Sequence, residues 1–244
     1  MRRHLAGRVK TSLRLLAVGF SGLCLTACLS PAGHLHAGPD QIGPRLDNYG
    51  EAVLPLNGTI VVQGDDAVYG VVRDGRRGPI NGAAQPRGAV TLTDTLQRAL
   101  PGVAVVNHGY PSDTAAESAN RWADAPVGDL LILCLGYGDL QAKTPPTEYG
   151  EALRALIRRG KARGAAVFVI LTPPATDPKL SGLNGYRDAA RTAAAEMGID
   201  LFDPATALYQ AQVKLPKGAE GSADIYRAIA RAMVPYIQVV KPRA

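Results

Sequence analysis

Cysteine is scarce in this chain, and its three positions exclude the scaffolds that depend on it. Cys24 and Cys28 fall near the amino terminus, and Cys134 stands alone inside the apolar run LLILCLG. No disulfide framework can be drawn from that set, and no Cys/His spacing typical of zinc occurs. Cys134 reads as a small buried apolar residue. Histidine is as thin: His4, His34 and His36 precede the body of the chain, and none follows His108. A histidine base in the carboxyl-terminal half is therefore excluded. Long apolar runs are also missing. LLAVGFSGLCLTA is too short for a comfortable membrane-spanning helix.

That run follows MRRHLAGRVKTSLR, which is basic and carries no acid, and together they read as a secretory signal. The run ends in Leu25-Thr26-Ala27-Cys28, the spelling of a bacterial lipobox, in which the Cys28 thiol accepts a diacylglyceryl group before cleavage. The expectation is a signal over residues 1–27 and a membrane partner reached through lipid on Cys28. Leu29 is not the aspartate that retains lipoproteins in the inner membrane, which favours the periplasmic face of the outer membrane. The signal holds five basic residues (Arg2, Arg3, Arg8, Lys10, Arg14) and no acid. Without them 22 basic and 21 acidic residues remain, a balance of +1. The basic character belongs to the targeting segment and is no argument for a nucleic-acid partner.

Residues 28–57 are rich in Pro, Gly and polar side chains without periodicity, so they are expected to tether the anchor to a domain over 58–240. His34 and His36 read as solvated tail residues. Beyond the tether, TIVVQ (59–63), VAVVN (103–107), LLILCLG (130–136), AVFVILT (166–172) and IDLFD (199–203) are apolar on both faces, as parallel strands covered by helices are. Helical patterns occupy about 92–100, 113–123, 147–163, 184–197 and 222–238. In the third of these Tyr149, Leu153, Leu156 and Ile157 share one face, and Gly164 ends the pattern. The alternation predicts an α/β fold: three layers, α/β/α, around a five-stranded, mostly parallel, flavodoxin-like sheet. The Gly/Pro-rich stretch 70–90 either walls a pocket beyond the strand ends or is a solvated excursion.

The strand-end loops carry the functional signal. GDDA (64–67), NHGYPSDT (107–114) and GYGD (136–139) follow the first three strands, and LPKGAEGSADIYRAIA (215–230) leads into the last helix. In that order they resemble the blocks of the SGNH/GDSL hydrolase family over residues 58–238. Gly64 and Asp65 fit its first block, Asn107 and Thr114 the second, and Gly136 and Asp139 the third. The resemblance implies a nucleophilic serine, an oxyanion glycine, an oxyanion asparagine and an Asp-x-x-His pair. This chain has Asp66, Ser112 and Gly138 at the first three positions, and in the best register Lys217 and Glu220 at the last two. It reads as a degenerate member, a pseudoenzyme of an esterase family.

A serine hydroxyl needs a base to act, and an ester cleaved by a carboxylate must pass through a mixed anhydride. Loss of one oxyanion donor alone costs about 10²–10³ in rate. Ser112 can still donate its backbone N–H, but Gly138 cannot replace a side-chain amide. Asp65, Asp66, Asp113, Asp139 and His108 come from converging loops and can instead hold a divalent cation or do acid/base work. Against that, Asp65 and Asp139 match scaffold positions, Asp113 is placed to cap a helix, and His108 can face away from the pocket. The expectation is no cofactor, no metal and no catalytic residue. The candidate pocket comprises Gly64, Asp65, Asp66, Asn107, His108, Tyr110, Ser112, Tyr137 and Asp139, with Tyr69, Tyr110 and Tyr137 able to stack on sugar rings. The favoured function is a carbohydrate-associated binding or accessory subunit of the envelope, its partner a polysaccharide or an envelope protein. An exported esterase or deacetylase with an unusual site, and a purely structural lipoprotein, remain as alternatives.

Overall fold

The computed structural model describes residues 52–71, 87–218 and 221–240. The signal, Cys28, most of the tether, most of the 70–90 stretch and Glu220 lie outside the described residues. The central sheet has five strands: β2 (Thr59–Gly64), β3 (Ala104–Gly109), β4 (Leu130–Cys134), β5 (Ala166–Ile170) and β6 (Asp200–Phe202). They lie in the order β3-β2-β4-β5-β6, and every pairing is parallel. The expected fold class is thus the observed one. All five residues of β4 are buried, as a strand covered on both faces requires.

Helices cover both faces. On one side pack α2 (Leu92–Ala99), α7 (Pro204–Gln210) and α8 (Ala223–Met233), against Ile60, Val62, Ile132 and Phe202. On the other pack α3 (Ala115–Asn120), α5 (Pro146–Ala162) and α6 (Leu183–Met197), against Val61, Leu131, Leu133 and Val169. Successive strand residues therefore feed opposite cores. Fully burying one such aliphatic side chain contributes about 1.5–3 kcal/mol. Local signals set the helix ends: α2 and α3 each start with a capping box (Thr91 with Asp94, Thr114 with Glu117). Helix α6 ends at Gly198 in the left-handed region. Short helices α1 (Asp66–Tyr69) and α4 (Tyr137–Ala142) sit directly on the ends of β2 and β4; the sequence pattern is too short to reveal either.

Two expectations need correction. Strand β1 (Ala52–Pro55) lies inside the segment read as tether and pairs in parallel with β7 (Ile237–Val240), so the folded domain begins before Gly58. The closing helix expected over 222–238 stops at Met233, because Pro235 ends the helical ladder and the chain passes through a turn into β7. A sheet edge is covered by a side chain: the Gln97 amide donates to the Val103 carbonyl at 2.8 Å and accepts from Val105 N–H at 2.9 Å, blunting β3. Among the described residues no helix is long and apolar enough to cross a membrane.

Candidate functional site

Strand β2 ends in Gly64, where a Cβ would meet Val68 at 2.5 Å and the Cys134 carbonyl carbon at 3.0 Å, so only glycine fits. Asp65 follows, fully buried, and caps α1 by accepting from Ala67 N–H at 3.3 Å. Its other oxygen accepts from Tyr137 N–H at 2.8 Å and Gly138 N–H at 3.3 Å, tying the loop after β2 to the loop after β4. Burial, and next the Asp66 charge, push the Asp65 carboxyl up to about 7 against those three amide donors. Asp66 opens α1 and is 3% exposed. The loop beyond α1 is pinned at its ends, Gly88 N–H donating to the Gly70 carbonyl at 2.9 Å.

The end of β3 divides its side chains between the two faces of the sheet. The Asn107 amide donates to the Val68 carbonyl (2.7 Å) and Thr93 Oγ1 (3.0 Å), and accepts from Gly109 N–H (3.0 Å), so it braces the loops. His108, next in the strand, faces the α3 side, with Tyr110 edge-on at 5.1 Å. Burial, then the Arg121 charge, lower its pKa, and the other charges acting on it are those of Asp113 and Asp124. The Asp113 charge thus reaches His108, whereas neither Asp65 nor Asp66 is among the charges that act on it. The exposed Tyr110 ring carries the Arg121 guanidinium at 4.3 Å. Asp113 is not the helix cap it was expected to be. Thr114 takes that role, while Asp113 accepts from Ser118 Oγ at 2.6 Å and pairs with Arg121. Ser112 has φ of 58°, the left-handed conformation that favours glycine, so a serine stands at a position whose backbone suits the glycine that the resemblance implies there.

After β4, Gly136 has φ of 130° and leads into α4. A Cβ at Gly138 would lie 2.6 Å from the Asp113 carbonyl carbon and 2.7 Å from that of Ser112, with the Asp113 oxygen nearer still. The place where an asparagine side chain would leave the backbone is therefore filled by main chain. Tyr137 is 4% exposed and offers no ring face to a sugar. Asp139 is fully buried and accepts from Ala115 N–H at 3.0 Å, joining α4 to α3, and burial pushes its carboxyl up to about 6.

Near the last helix, Lys217 is exposed and its carbonyl accepts from Asp177 N–H at 3.1 Å. The side chain that sequence reasoning missed is Tyr226. It projects from α8, 3% exposed, and its Oη has no hydrogen-bond partner among the described residues. It lines a cleft with Ala67, Thr172, Pro173, Pro216 and Ile225. A tyrosine on the apolar stripe of a helix carries no signal that separates a site residue from core. The cleft encloses about 310 Å³ including solvent at its mouth, while its interior, about 10 Å³, has room for roughly one water centre. Among the described residues no three His, Cys, Asp or Glu side chains are grouped to hold a metal.

A parallel three-layer α/β domain whose nucleophile-type turn, second loop and Gly-x-x-Asp turn meet at the carboxyl edge of the sheet defines an SGNH-type hydrolase fold. The family model described as GDSL-like lipase/acylhydrolase matches residues 64–227, and the chain belongs to that family. Among solved structures, an α/β hydrolase from the metagenome of Lake Arreo, Spain, is 20% identical, with a TM-score of 0.57 over 75% of this chain and 96% of that one. An acetylxylan esterase from Geobacillus stearothermophilus is 19% identical, with a TM-score of 0.57 over 75% and 95%. At such identities the likeness is one of fold. No curated protein matches the chain in sequence.

Proposed function

We propose that this chain is a hydrolase-fold binding protein of the bacterial envelope, lipid-anchored through Cys28, that holds a carbohydrate or polysaccharide without cleaving it. The observation that carries the reading is the surroundings of Asp66. No histidine follows His108, and His108 turns to the α3 side, so among the described residues no imidazole lines the cleft beside Asp66. The filled space at Gly138 supports it, because no side-chain amide can reach a developing oxyanion from there. Carbohydrate is suggested by the fold shared with an acetylxylan esterase, and anchoring by the basic region, apolar run and Leu-Thr-Ala-Cys occurring in order.

The test assays the full-length chain on short-chain nitrophenyl esters and acetylated xylo-oligosaccharides, beside Asp66→Ala and Asp66→Ser. No turnover above buffer is expected from any of the three, since restoring the hydroxyl does not restore its base. Turnover by the wild type that Asp66→Ala abolishes would establish the competing reading, an esterase with a carboxylate in its site.

A further inference from the structure

The edge of the sheet opposite the site combines exposed apolar side chains with uncompensated positive charge. All five strands are parallel, so their first residues lie along one edge, covered by the connections 55–58, 100–103, 121–129, 163–165 and 197–199. Among the described residues, two of the four exposed large apolar side chains stand there: Val127, 67% exposed, and Leu56, 37%. Their connections touch, since a Cβ at Gly58 would lie 3.1 Å from Asp129 Oδ2, two residues along the chain from Leu56 and Val127 respectively. Val127 borders a shallow groove with Trp122, Pro126, Leu131 and Arg163.

Cations gather at the same edge. Arg158, Arg159, Lys161 and Arg163 close α5, and all four are exposed. Arg163 lies over the Trp122 ring at 4.6 Å and donates to the Trp122 and Ala125 carbonyls at 3.2 and 3.0 Å. Arg159 donates to the Ala119 carbonyl, and Lys161 Nζ to the Met197 carbonyl at 2.9 Å. These carbonyls fix the cations without neutralising them, and none of the four pairs with a carboxylate among the described residues. Arg98 adds an exposed cation at the end of α2. Of the acids here, Asp129 accepts from Thr59 N–H at 2.7 Å and Glu196 pairs with Arg154, which leaves Asp124.

We infer that this edge docks on an anionic lipid bilayer, its cations among the headgroups, Val127 and Leu56 below them and Trp122 at the interface. A soluble polyanion would use the cations and leave the two aliphatic side chains in water, whereas a bilayer surface satisfies both. Because every strand is parallel, docking at this edge turns the loops that carry Asp65 and Asp66 away from the membrane. Five residues of strand set the two edges roughly 17 Å apart. A lipid on Cys28 would bring the domain to a membrane, and this face sets which way it then points. The inference goes beyond the binding reading of the site, since a domain that did cleave esters would dock in the same way.

Trp122 is the chain's single tryptophan, so its fluorescence reports this edge alone. The test mixes the full-length chain with vesicles of brominated phosphatidylcholine, pure or mixed with phosphatidylglycerol, and reads quenching of Trp122 beside co-flotation. Quenching is expected on the anionic vesicles and should collapse in high salt. The double variant Arg158→Glu/Lys161→Glu should cut it about fivefold or more, even where flotation shows the chain still held by its amino terminus. Val127→Glu, at a side chain too exposed to disturb folding, should cut it as well. Lys179→Glu, on the loop after β5 at the other edge, should leave it unchanged. No quenching on anionic vesicles, equal quenching on neutral ones, or quenching that survives both edge substitutions would overturn the inference. Trp122 emission that shifts with protein concentration in the absence of lipid would also overturn it, by marking a second copy of the chain as the occupant.

Discussion

Replacing Gly138 by asparagine supplies the side-chain amide that the resemblance implies at this position, and the structure says the chain will not accept it. The informative variant is Gly138→Ala, which adds only the Cβ. That atom would lie 2.6 and 2.7 Å from the main-chain carbons of Asp113 and Ser112, distances that require backbone to move. The backbone there is also held in place, because Gly138 N–H donates to the buried Asp65 at 3.3 Å and Asp113 is fixed by Ser118 and Arg121. Overpacking typically costs about 1–3 kcal/mol, and contact with main chain belongs at the upper end. Alanine in a helix gains about 1 kcal/mol over glycine, so the net loss is about 2 kcal/mol. For a domain of this size that lowers the melting temperature by about 4–8 °C. Gly138→Asn should lose more, with no gain in ester hydrolysis. The assay is thermal unfolding followed by circular dichroism. A Gly138→Ala variant that melts at or above the wild-type temperature would refute the reasoning, since helix propensity alone predicts that result.

The buried carboxylates predict an inverted pH dependence. Asp65 is raised to about 7 by burial and the Asp66 charge, and Asp139 to about 6 by burial, both from 3.8. Their protonation therefore favours the folded state: the stability they contribute is full below about pH 4 and is lost as pH rises through 6 to 7. Melting curves from pH 5 to 8 should show a smaller downward slope in Asp65→Asn than in the wild type, and identical slopes would count against the assignment. For the anchor, Cys28→Ala should abolish metabolic palmitate labelling and release the chain from the membrane fraction; labelling that persists would place the lipid elsewhere or nowhere.

Much of the architecture is local information. Runs apolar on both faces marked β2 to β6, because a strand covered by helices on each side has no solvent face to encode. Strands β1 and β7 escaped notice for the complementary reason. Each is four residues long, one following a polar segment and the other a helix, and each is a strand only because the other lies beside it. The site divides in the same way. Asn107 and Asp139 stand at block positions legible from spacing, and the structure has both bracing loops. Asp113 looked like a cap because it precedes a helix, yet a neighbouring threonine wins that role and frees the carboxylate for Arg121.

The sequence by itself determined the order of strands and helices and which chemical groups the chain possesses, since a histidine absent after position 108 cannot be supplied by folding. Only the tertiary structure decided which groups meet. The main chain that fills the space at Gly138 comes from a different loop, and the tyrosine that lines the cleft beside Asp66 comes from a helix 160 residues further on. Contacts of that kind depend on close packing between elements distant in sequence, to within a few tenths of an ångström, and no periodicity along the chain records them.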